Sequence, residues 1–145
     1  MGELTPEEAK TKLTPAEEAK RWKRQADADL KTARTLLEQK DYDACAFHCQ
    51  QASEKALKAM LYLKGRRPYG HSLVGFLAEV VKEGFPASSE DINQAVDSLD
   101  KHYTSSRYPD AFESQIPDEY YTSDMAKEAL EWAQLLLQFS GENLP

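Results

Sequence analysis

No stretch of this chain stays apolar for the roughly 20 residues a membrane-spanning helix needs. The opening MGELTPEEAK is acidic and lacks the basic-then-apolar layout of an export leader. A membrane protein is therefore not expected, and a cytoplasmic location is. Cysteine is scarce: Cys45 and Cys49 are the only two, too few for a disulfide framework, and reduced thiols are the expectation. Histidine is as scarce, with three. Cys45, His48 and Cys49 could supply three metal ligands, but nothing nearby closes a tetrahedron, so no metal and no cofactor is expected. There is no glycine-rich phosphate loop and no acidic cluster at metal-binding spacing, which argues against a self-sufficient nucleotidyltransferase or NTPase. No segment alternates apolar and polar residues as a strand would.

What remains is 145 residues, 41% hydrophobic and 30% charged, enough for one domain with its own core. The net charge of -7 excludes nucleic-acid binding through bulk positive charge. The charge is uneven, however. Residues 55–78 hold five bases (Lys55, Lys58, Lys64, Arg66 and Arg67) and no acid, whereas residues 79–145 hold 14 acids against four bases. This positive island is either a solvated basic helix end or a local anion site.

Helical periodicity dominates. LTPEEAK at 4–10 and LTPAEEAK at 13–20 both read as helix starts: Thr as N-cap, Pro first in the helix, Glu three residues after Thr. Only the second leads into an apolar stripe, so residues 1–14 are expected to be frayed, 15–140 to form the helical domain and 141–145 a tail. A first helix over 14–39 would bury Trp22, Ala26, Leu30, Ala33 and Leu37. A second over 41–63 would bury a stripe of small residues including Cys45, Cys49, Ala52 and Ala56, allowing close approach of a neighbour. A third over 71–83 would bury Leu73, Phe76, Leu77, Val80 and Val81, and a fourth over 89–103 Ile92, Val96 and Leu99. Residues 104–121 show no helical stripe, and a loop of that length is usually functional or disordered. The last helix spans 122–140. Together these predict an all-α, antiparallel up-and-down bundle of four to five helices.

Three places carry chemistry. Gln51, Glu54, Lys55 and Lys58 form a polar flank on the second helix, either a solvent face with a Glu54–Lys58 pair or the lining of a groove. GRRPYGHSL sets Arg66, Arg67 and Tyr69 just before His71 at a helix start. SSRYPDAF sets Arg107 and Tyr108 in the long loop, either to stack on a base and pair a phosphate or to be pinned by Asp110. Phe47, Leu57, Leu61 and Trp132 are expected to stay partly uncovered and to meet a second copy in a C2 dimer.

The order of these motifs is distinctive: Ala26-x-x-Asp29-Leu30-x-x-Ala33, FHCQQASEKALKA at 47–59, HSL at 71–73, HYTSSRYPD at 102–110 and YTSDMAKEAL at 121–130. Over residues 20–138 the chain resembles the HEPN domain family. The resemblance implies a four- or five-helix bundle, often dimeric and similar to the helical domain of kanamycin nucleotidyltransferase. Members are commonly encoded beside a minimal nucleotidyltransferase, and many such pairs act as toxin–antitoxin modules. It thus implies a non-catalytic domain that binds a nucleotide or other phosphate-bearing ligand, or partners a minimal nucleotidyltransferase. Lys55, Lys58 and Arg107 would meet phosphates, Tyr108 would offer a ring and His71 would donate a hydrogen bond. Other branches are metal-independent ribonucleases with an Arg and a His four to six residues apart in a later helix. Arg66 and His71 match that spacing but lie between the second and third helices, and the fifth residue after Arg107 is Phe112. The alternatives are therefore an endoribonuclease using Arg66 and His71, or a purely structural dimerisation module.

Overall fold

A computed structural model describes residues 13–86 and 89–145. Most of the segment 1–14, expected to be frayed, lies outside the described residues. Helix α1 (Pro15–Glu38) starts where local chemistry dictates: Thr14 Oγ1 accepts from the Glu17 amide at 3.1 Å, and Glu17 accepts from the Thr14 amide at 3.1 Å. Two amides at the helix start thus find side-chain partners. Lys40, with φ of 64°, turns the chain back into α2 (Tyr42–Leu63). This is a left-handed conformation that a non-glycine residue rarely takes.

The small residues of α2 make it the centre of the molecule. Cys45, Ala46, Cys49, Ala52, Ala56 and Ala59 are fully buried, and both α1 and the last helix pack closely on them. Ser140 Oγ donates 2.7 Å to the carbonyl of Ala56, a bond that needs two helices almost in contact. Leu57 and Leu61 are also fully buried, contrary to the expectation that they would be uncovered. A helix enclosed on nearly every side has no free face at those positions. Phe47 and Trp132 are half-buried.

Helix α3 (Leu73–Lys82) is capped by Ser72 and buries Leu73, Phe76, Leu77 and Val80. Val81, expected inside, is 41% exposed, because it falls at the edge of the arc the other four define. Helix α4 (Glu90–Asp100) buries Ile92, Ala95, Val96 and Leu99. The single fourth helix expected to 103 is broken at Lys101 into α4 and a short α5 (His102–Ser105). The segment expected to lack helix contains a 3₁₀ turn, Pro109–Ala111, and a turn of helix, α6 (Pro117–Tyr120), each opened by its proline. Helix α7 (Ser123–Glu142), capped by Thr122, runs two residues past the expected end. Among the described residues there is no strand, and the fold is the expected all-α bundle.

Candidate functional site

The polar flank of α2 is not a solvent face. Glu54 is 3% exposed and Lys58 7%. One helical turn apart, they form an ion pair at 3.1 Å inside the bundle. The Lys58 ammonium also sits 5.2 Å from the centre of the Phe76 ring and 5.6 Å from that of Trp22. The second carboxylate oxygen of Glu54 lies 3.0 Å from Nδ1 of His71. A buried carboxylate accepts, so Nδ1 carries a proton, and in the neutral ring Nε2 is left as an acceptor. Gln50, one turn before Glu54, donates from Nε2 to the His71 carbonyl at 3.1 Å. Backbone and ring of His71 are therefore both fastened to α2, while the side chain stays half exposed.

The other half of the site comes from α5 and the loop after it. The His71 ring stacks on Tyr103, with centres 4.0 Å apart and planes 17° from parallel. The Arg107 guanidinium lies 4.5 Å from the centre of the same tyrosine ring, 4.5 Å from Phe47 and 4.8 Å from Tyr108. Arg107 Nε donates to the Tyr103 carbonyl at 2.8 Å. Among the described residues no carboxylate pairs with Arg107, so the loop is not pinned by Asp110. His71 and Arg107 thus share one aromatic ring, and the guanidinium keeps its charge for another partner.

This half is anchored from beneath. His102 is buried, with Nδ1 2.7 Å from the Tyr121 hydroxyl, and its carbonyl accepts from Ser106 Oγ. Burial, then the charge of Lys101, lowers the His102 pKa to about 4, so its ring is neutral. Burial also pushes the Tyr121 phenol well up. Asp100 ties the halves together: its two carboxylate oxygens accept from the Leu73 amide at 2.7 Å and the Val74 amide at 3.2 Å.

Of the residues expected at the site, His71, Arg107 and Tyr108 are brought together, and Lys58 reaches them only through Glu54. Lys55 is not among them; it pairs with Asp29 on α1, whose other oxygen accepts from Gln25. Arg66 is also elsewhere. It pairs with Glu83, just past the C-terminal end of α3, whereas His71 precedes its N-terminal end. Ten helical residues span about 15 Å, so Arg66 and His71 do not form a pair within the chain despite their spacing. Gln50, Phe47 and Tyr103 were not anticipated. The four-residue spacing of Gln50, Glu54 and Lys58 is the only signal that could have pointed to the first. Cys45 and Cys49 are buried thiols, the hydrogen bond that Cys49 donates to Cys45 and then burial raising the Cys49 pKa. His48 faces the Ala44 carbonyl, and no group of three metal-ligating side chains converges among the described residues.

The geometry can be set beside known proteins. A profile of the HEPN domain matches residues 19–144. The chain is 31% identical over 127 residues to "Putative toxin MJ1304" of Methanocaldococcus jannaschii, covering 83% of this chain and 84% of that one. It is similar to the crystal structure of TT1696 from Thermus thermophilus, with a TM-score of 0.81 and 37% identity, over 88% of this chain and 98% of the other. It is also similar to ST0689, an archaeal HEPN homologue, with a TM-score of 0.74 and 33% identity over the same shares. A match that spans nearly the whole helical bundle, in sequence and in structure, makes this chain a member of the HEPN domain family.

Proposed function

We propose that this protein binds a nucleotide or other phosphate-bearing ligand on the surface formed by His71, Tyr103, Arg107 and Tyr108. It would do so in the cytoplasm, as the helical partner of a minimal nucleotidyltransferase protein in a toxin–antitoxin pair. The observation that carries this reading is the position of Arg107. The guanidinium is exposed, held among three aromatic rings and matched to no carboxylate among the described residues. Such a group stacks on a base and pairs a phosphate. The family and the relative named as a toxin support the toxin–antitoxin context, and the two unpaired cysteines suit a reducing compartment. In this reading Lys58 holds Glu54 rather than touching phosphate. Calorimetric titration with AMP tests it: Arg107→Ala should weaken binding by about 1.5–3 kcal/mol, and equal affinity in parent and variant would remove the site.

One observation favours a second reading, a metal-independent endoribonuclease. His71 has its Nδ1 on a buried carboxylate, and with the ring neutral its Nε2 is free to accept a proton, the arrangement of a general base. Arg107, rather than Arg66, would then be the cation for the developing phosphorane charge. RNA cleavage by the purified protein in EDTA, lost in both His71→Ala and Arg107→Ala, would establish it. Homodimerisation is proposed on the half-buried Phe47 and Trp132 and on Val74 and Val81, both exposed on the outer face of α3. Sedimentation at tens of micromolar, showing a dimer or a monomer, decides that point.

A further inference from the structure

A groove of about 340 Å³ opens at the corner where α1 begins and α2 ends, lined by none of the residues of the His71–Arg107 surface. One wall is a pair of stacked rings, Trp22 and Tyr62, with centres 5.0 Å apart and planes 21° from parallel. Three arginines, Arg21, Arg66 and Arg67, stand around them. Two of these cations are already matched. Arg21 donates to Glu18 Oε1 at 2.9 Å, and Arg66 pairs with Glu83. Arg67, exposed at the groove, has no ion pair among the described residues. Glu18 Oε1 also accepts from the Trp22 indole N–H at 3.1 Å, which fixes that ring, while no donor among the described residues is bonded to Oε2.

The groove therefore offers three complementary features. Tyr62 and Trp22 line it as a stacked pair and both are only part-buried, so aromatic surface is open to a flat apolar group. Arg67 supplies an uncommitted planar cation, suited to a phosphate. Glu18 supplies one carboxylate oxygen, suited to a hydroxyl or amino donor. A ring, a donor and an anion on one small molecule describe a nucleotide: base, ribose hydroxyl or exocyclic amine, and phosphate. An acidic peptide would satisfy Arg67 but leave the ring wall and the carboxylate unused. We propose that this groove is a second ligand site, taking a nucleoside monophosphate unit with Tyr62 against the base, Arg67 on the phosphate and Glu18 accepting from the sugar or base. The proposal does not rest on ligand binding at His71 and Arg107, and the two sites are read separately.

The same unit could arrive as a free nucleotide or within a single strand of RNA. Both are tested in a Trp132→Phe background, which leaves Trp22 as the sole indole. Its fluorescence, excited at the red edge where adenine does not absorb, then reports only this groove. AMP should change the signal saturably, with adenosine and inorganic phosphate each binding more weakly. Arg67→Ala, an exposed substitution, should raise the half-saturating concentration about ten-fold, whereas Arg107→Ala should leave it unchanged. Tighter binding of a short oligoadenylate than of AMP assigns the site to a strand; equal or weaker binding assigns it to the free nucleotide. No saturable change at millimolar AMP overturns the proposal. So does equal affinity in Arg67→Ala, a loss of the signal in Arg107→Ala, or equally tight binding of an acidic peptide.

Discussion

Glu54 and His71 meet 3.0 Å apart, a carboxylate buried in the middle of α2 and a ring at the edge of solvent. The chain between them includes the end of α2 and a loop with two left-handed glycines, Gly65 and Gly70, which returns the backbone to the helix it left. The imidazole owes its orientation to this contact.

That contact leaves the carboxylate dependent on two partners. Glu54→Leu should destabilise the protein by about 3–5 kcal/mol, because it leaves the Lys58 ammonium buried without a counter-charge. The double variant Glu54→Leu, Lys58→Met should recover most of that loss. Urea unfolding of the three proteins measures both effects, and a single variant as stable as the parent would contradict the buried pair.

Acid should weaken the fold through His102. Its pKa is lowered from 6.5 to about 4 in the folded chain. Above pH 6.5 both states hold a neutral ring and the contribution is constant. Between 6.5 and about 4 only the unfolded chain takes up the proton, so stability falls as the pH drops. The full loss is on the order of 3 kcal/mol, complete below the folded value. Unfolding midpoints at about pH 7 and pH 5 should differ more in the parent than in His102→Gln, where this component is absent.

The two arginines expected to matter should behave oppositely. Arg66→Ala removes an exposed pair with Glu83 and should cost at most about 1 kcal/mol of stability. It should leave calorimetric affinity at the His71 surface unchanged. Arg107→Lys keeps the charge but loses the planar group that lies over three rings, and should bind AMP more weakly than the parent. A lysine variant equal to the parent would show that charge alone suffices there.

The close approach of α2 to α7 leaves no spare volume at Ala56. Ala56→Leu should cost about 1–3 kcal/mol through overpacking and should also part Ser140 from the Ala56 carbonyl. A melting temperature equal to the parent's would mean that the two helices can separate freely.

Much of the bundle was legible because its signals are local. Thr14, Ser89 and Thr122 each bond an amide within three residues, so cap chemistry and stripe spacing place those helices. The site was legible in part. His71, Arg107 and Tyr108 stand out by residue type beside glycine, proline and aromatics. Tyr103 and Gln50 do not, since their roles arise from contacts with His71 made across the fold. Arg66 shows the opposite failure. A count of residues to His71 says nothing of direction, and its side chain runs toward Glu83. The burial of Glu54 and Lys58 ran against the ordinary preference of charged residues for water. It becomes intelligible only once α1, α3 and the His71 loop close over them.

Asp100 has a wider consequence. One side chain at the end of α4 holds the first two amides of α3, and the same stretch of backbone continues directly into Tyr103 and Arg107. Asp100 therefore sets where the start of α3, next to the imidazole, lies relative to the guanidinium, although the two are far apart in the chain. Fraying at the end of α4 would release Tyr103 and Arg107 together, while Gln50 and Glu54 would still hold His71 to α2. Opening α4 would thus part the guanidinium from the imidazole without any contact to either side chain.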